Sequence, residues 1–175
     1  MKEHGKNLAD LHQLTGKKTT ERLLERLHEN EEVLIETTRQ LTAVVKENNP
    51  IAPAEEWLLD NFYLIEENVR TAKRHLSRGF SRGLPWFASV PSAGLPRAYD
   101  IAQEIISHGD GSVDLENLVS FVTAYQSVSC LKLGELWAIP IMLRLALIEN
   151  LRRIGTRIMA DVADRARANY WADQM

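Results

Sequence analysis

Residues 131–158, LKLGELWAIPIMLRLALIENLRRIGTRI, limit what this chain can fold into more than any other stretch. Between Leu136 and Ile148 every residue is apolar except Arg144. A surface helix carries one apolar stripe, so a helix this uniformly apolar must be buried on most sides. The run is too short for the roughly 18 apolar residues that cross a bilayer, and Glu135, Glu149, Arg152 and Arg153 flank it. It reads as the central helix of a soluble domain, with no direct membrane insertion. Pro140 lacks an amide hydrogen and its ring collides with the carbonyl four residues back, which predicts a kink or break at residues 136–139. A buried Arg144 guanidinium requires a carboxylate from another helix. Asp60 and Glu66 are the candidates, and Glu135, Glu149 and Arg153 are expected to complete a polar network that fixes helix register.

With 175 residues, the chain suits a single domain with a core that needs no disulfide or metal. The 21 basic and 24 acidic residues are interspersed and the net charge is −3, which argues against a nucleic-acid partner. Cys130 is the lone cysteine, so an intrachain disulfide and a cysteine metal cluster are excluded and a reducing compartment is expected. The first residues, MKEHGKNLADLHQ, contain no apolar core and read as neither signal peptide nor anchor.

Taken in order, residues 1–17 are polar, show no sustained periodicity and are expected to be flexible. Residues 18–175 then form one helical domain. A long helix runs from about residue 20 to Lys46 on the stripe Leu24, Leu27, Glu31, Leu34, Thr38, Leu41, Val45. Asn48-Asn49-Pro50 ends it. Pro53, with Glu55 and Glu56 in the first turn, opens a second helix along Leu58, Phe62, Ile65, Val69, Ala72 and Leu76. The short connector makes the two an antiparallel N-terminal hairpin. Residues 77–95 hold three glycines and two prolines and form an irregular segment that packs through Leu84, Trp86, Phe87 and Val90. A third helix carries Ala98, Ile101, Ala102, Ile105 and Ile106 inward. Asp114 caps a fourth with Leu115, Leu118, Val119, Val122 and Tyr125 inward. The central helix continues to an end, RANYWADQM, that looks cut. No alternating strand pattern or internal repeat is visible. The fold class is all-α: a helical bundle with a long N-terminal hairpin and a buried, Pro-kinked central helix.

Few motifs look chemical. Gly79-Phe80-Ser81-Arg82-Gly83 spells a nucleophile elbow, but that motif needs a strand leading in and a helix leading out. Asp110, Ser112 and Asp114 open like a calcium loop, yet Leu115 replaces the required glycine and Phe121 the bidentate glutamate. His28 and Glu32 stand one helical turn apart with no second histidine pair near them in sequence, the pattern of an exposed polar face. No catalytic residue, metal or cofactor is expected from these residues.

Several segments resemble the N-terminal region of the cyclic β-1,2-glucan synthases: LLERLHENEEVLIETTR (23–39), PAEEWLLDNFYLIEENVR (53–70), Leu84-Pro85 with AGLPRAYDIA (93–102), and GELWAIPIMLRLALIENLRR (134–153). They occur in the family's order. The resemblance implies a longer bacterial inner-membrane protein with membrane helices, a glycosyltransferase module using UDP-glucose, and phosphorylase-like modules. The family's catalytic residues have no counterpart in this stretch. The implied role is a segment on the cytoplasmic side that docks on the remainder of its parent, the transferase module above all, or on another copy of itself. The alternative is a domain that binds carbohydrate or sugar nucleotide, with Trp86 stacking on a sugar and Arg82 and Arg97 meeting a diphosphate.

Overall fold

The computed structural model describes residues 2–12, 14–15, 22–76, 80–87, 94–109, 111–172 and 174. Seven helices account for nearly all of them: α1 (Lys2–Leu11), α2 (Leu23–Lys46), α3 (Pro53–Asp60), α4 (Phe62–His75), α5 (Arg97–His108), α6 (Leu115–Gln126) and α7 (Leu133–Ala172). The all-α expectation holds. Among the described residues the one extended element is a two-residue ladder in which β1 (Leu14–Thr15) pairs antiparallel with β2 (Trp86–Phe87). Where length suggests one domain, the chain divides into two compact units: Met1–Arg26 with Thr71–Leu147, and Leu27–Arg70 with Ile148–Met175.

In the first unit, α5 and the first part of α7 supply the core. Ala98, Ile101, Ala102, Ile105 and Ile106 of α5 are buried as the period of that helix predicts, as are Ala138, Ile139, Met142, Leu145 and Ala146 of α7. Leu84, Trp86 and Phe87 pack in as expected, while Val90 lies outside the described residues. Two expectations are corrected here. Residues 2–11, read as flexible, form α1 and bury Gly5, Leu8 and Ala9. Gly5 permits that docking, since a Cβ there would stand 2.8 Å from the Phe121 carbonyl oxygen of α6. The inward face of α6 is also rotated, with Phe121, Ala124 and Tyr125 buried and Leu115 and Val119 exposed. Both Leu-Val faces of α6 are apolar, so periodicity alone does not choose between them.

In the second unit, α2 packs through Leu27, Asn30, Leu34, Thr37 and Leu41. This is a seam of alternating three- and four-residue steps, like a and d positions. It lies one residue away from the predicted stripe at two places, with Asn30 and Thr37 buried in place of Glu31 and Thr38. The Thr37 hydroxyl donates to the Val33 carbonyl at 2.9 Å, which satisfies it inside the core. Gly155 of α7 faces it, where an added Cβ would lie 3.2 Å from Thr37 Oγ1. The expected second hairpin helix is two, because the turn at Asn61 separates α3 from α4. α7 continues through Pro140 without a break, with the proline on an exposed face.

Candidate functional site

Each unit contains one buried glutamate at the third position of a helix, and each uses it twice. In the first unit Glu135 is fully buried. Its Oε2 accepts the Lys132 amide at 2.9 Å, closing the start of α7. The same carboxylate takes Arg97 of α5 side-on, with Nε to Oε1 at 2.8 Å and Nη2 to Oε2 at 2.7 Å. Arg97 Nη1 donates to Ser129 Oγ and Nη2 also to the Cys130 carbonyl. Burial works against the charged guanidinium, but the hydrogen bonds and charge of Glu135 outweigh it, and the Arg97 pKa is raised. In the second unit Glu55, also buried, accepts the Ala52 amide at 2.9 Å and Arg165 of α7 at 2.5 Å.

Tyr125 extends the first centre. Burial pushes its hydroxyl pKa up to about 12, against the opposing influence of Arg97. The phenol therefore keeps its proton, and its oxygen lies within hydrogen-bond distance of His12 Nδ1, at 2.6 Å. His12 Nε2 lies 3.1 Å from Asp100 Oδ2. A chain of polar groups thus joins residue 12 to α5, α6 and α7. Buried polar networks of this kind fix which elements meet and in what register.

Of the polar residues anticipated from sequence, Glu135 and Glu149 are buried and Arg144 is intermediate in burial. Glu135 is in the buried centre, but its arginine is Arg97. Arg144 is only half-buried, and Asp60 and Glu66, expected as its carboxylate partners, are exposed on α3 and α4. Glu149 is buried and accepts Arg153 one turn on at 3.3 Å. Of the residues anticipated for a sugar nucleotide, Arg97 is 2% exposed with its donors committed. Trp86 is buried as well. Neither lines an open groove. The Arg82 side chain lies outside the described residues. Glu55, Tyr125 and His12 were missed by sequence reasoning. Glu55 stands three residues after a cap position, but that cap is Ala52, which has no side-chain oxygen to complete the usual signature.

The open surface of the first unit is apolar. Leu118, Val119 and Val122 of α6 and Leu136, Ile139 and Pro140 of α7 line a shallow groove of about 270 Å³. Leu115, Leu133 and Trp137 are exposed on the same two helices. Monomeric surfaces seldom group so many large apolar side chains without a partner. Among the described residues no helix is long and apolar enough to cross a membrane.

No family model matches the chain. It is similar to the cyclic β-(1,2)-glucan synthase NdvB of Rhizobium meliloti (strain 1021), with 39% identity over 150 residues. The match covers 86% of this chain and 5% of that protein. Identity at this level over most of the chain reflects common descent, and the chain fits an N-terminal segment of the cyclic β-(1,2)-glucan synthases.

Proposed function

We propose that this segment is a non-catalytic interaction domain of a cyclic β-1,2-glucan synthase, and that it docks on the remainder of its parent. The observation that carries the reading is the α6–α7 groove, together with Trp137, which is 79% exposed on one of the two helices that line it. Large aromatic side chains at the centre of an apolar patch are the usual anchors of protein–protein interfaces. The occupant is the parent because the chain matches only 5% of its relative's length, leaving a large protein for it to meet. The buried Arg97–Glu135 and Glu55–Arg165 pairs support a structural use of the polar residues. In this reading the segment lies on the cytoplasmic side of the inner membrane and organises a transferase module that polymerises glucose from UDP-glucose.

The test is to express the 175-residue chain apart from a parent synthase lacking it, and to follow co-purification and glucan formation. Rebinding with restored synthesis is expected, and Trp137→Ala should weaken rebinding at least about tenfold, in the range of an interface hot spot. The Trp137→Ala chain should keep its Tm, since the side chain is mostly in water. Synthesis that never requires the segment would overturn the proposal.

A further inference from the structure

His4 is brought to Glu104 and His108 from 100 or more positions away in the sequence. Glu104 and His108 are one turn apart on α5 and share a face. His4 comes from α1. His4 Nε2 lies 2.8 Å from Glu104 Oε2, and His108 Nε2 lies 3.4 Å from the same oxygen. One atom from each residue can be chosen so that all three lie within 4.8 Å of one another. We propose that these residues form a binding site for a borderline divalent transition-metal ion, Zn²⁺ foremost, which ties α1 to α5.

The donor set selects that class of ion. Two imidazoles and one carboxylate suit zinc and its neighbours, whereas Mg²⁺ and Ca²⁺ take oxygen ligands. Three protein ligands would leave a fourth position to water. The spacing also fits. Metal–ligand bonds of about 2.0–2.2 Å in a tetrahedron put donor atoms about 3.3 Å apart. The two Glu104 pairs straddle that value, and the imidazole nitrogens need approach by at most about 1.5 Å.

The surroundings hold the ligands in place. The His4 ring packs on His108 with centroids 3.9 Å apart, and on Phe121 at 5.8 Å. The close seat of Gly5 on α6 fixes the adjacent His4 there. His108 ends α5, so a cation would sit at the negative end of that helix's dipole. A cleft of about 230 Å³, lined by Ile105, His108 and Asn117 among others, gives an ion a way to His108. The three side chains are roughly one-third to one-half exposed, which is open enough for exchange. In a metal-free chain His4 forms an imidazole–carboxylate hydrogen bond with Glu104, and His108 lies within ion-pair distance of the same oxygen. Metal binding replaces these contacts with coordination by neutral imidazole nitrogens.

The experiment uses the 175-residue chain stripped with chelator and titrated with Zn²⁺ by calorimetry, alongside thermal melts with and without the ion. One equivalent is expected to bind, with a rise in Tm that chelator reverses. His4→Gln, Glu104→Gln and His108→Gln should each weaken binding by more than the about 10–100-fold that loss of an outer-shell partner costs. His28→Gln, on the exposed pair with Glu31 and Glu32, should bind as the parent chain does. Far-UV circular dichroism without metal separates a lost ligand from a lost helix, because glutamine retains a hydrogen-bonding group at each position. In the Co²⁺-loaded chain the visible spectrum should change on His4→Gln. Zn²⁺ binding that is absent, that survives these three substitutions, or that requires His28 overturns the proposal.

Discussion

At the scale of single residues, the buried arginine pair carries the sharpest energetic prediction. Glu135→Ala leaves the Arg97 guanidinium uncompensated in the core and removes the cap of α7. It should cost about 3–5 kcal/mol in urea or thermal unfolding. Arg97→Met combined with Glu135→Leu should recover most of that loss, because neither charge is then stranded. The corresponding Arg165→Ala should cost much less, about 1 kcal/mol, because its side chain is 44% exposed and water can take its place at Glu55. Tyr125 gives a second test, in the alkaline range. Its proton is held more tightly in the folded state than the ordinary value of 10 allows. Its contribution to stability is therefore complete below pH 10 and is lost as pH rises through about 12. A spectrophotometric tyrosine titration should show one late-titrating phenol, and Tyr125→Phe should remove it. The sequence showed Arg97, Glu135 and Tyr125 as members of three separate helices. It held no signal that they meet, since their separations in sequence follow no period.

At the scale of elements, helix existence was legible from spacing while helix phase was less so. The starts of α3 and α6 follow from Pro53 and Asp114, whose Oδ2 accepts the Asn117 amide at 3.0 Å. The apolar period of α5 predicted the burial of Ala98, Ile101, Ala102, Ile105 and Ile106, though not that of Arg97 and Tyr99. On α6, apolar residues lie nearly all round, and the face turned inward was the one that α1 could approach. α1 itself escaped notice because its buried residues, Gly5, Leu8 and Ala9, are small or few, and only one is a strong apolar signal. What makes it dock is the absence of a side chain. Gly5→Ala should therefore release α1 despite the better intrinsic helix propensity of alanine, because the new methyl meets a backbone oxygen that cannot turn away. Amide hydrogen exchange should show protection lost across residues 5–11 while α5 and α7 keep theirs.

At the scale of the whole molecule, α7 contributes its first part to one unit and its last part to the other. Burial is dense through residues 138–149 and thins toward Ala172, which is why the helix could read as central from sequence and yet leave Trp137, Tyr170 and Trp171 in water. If the α6–α7 groove is a docking surface, Val119→Glu should mimic Trp137→Ala in the rebinding assay. It should leave the chain's own melting unchanged, since Val119 is more than half exposed. The sequence by itself determined the all-α class, the likeness to the cyclic β-(1,2)-glucan synthases and most helix boundaries. Those properties depend on local spacing, capping and turn chemistry, which act within a few residues along the chain. Tertiary structure alone decided which carboxylate meets which arginine, which face of α6 is covered, and that His4 lies beside Glu104 and His108. Such contacts join residues about forty to a hundred positions apart, and their energies exist only once the helices have packed.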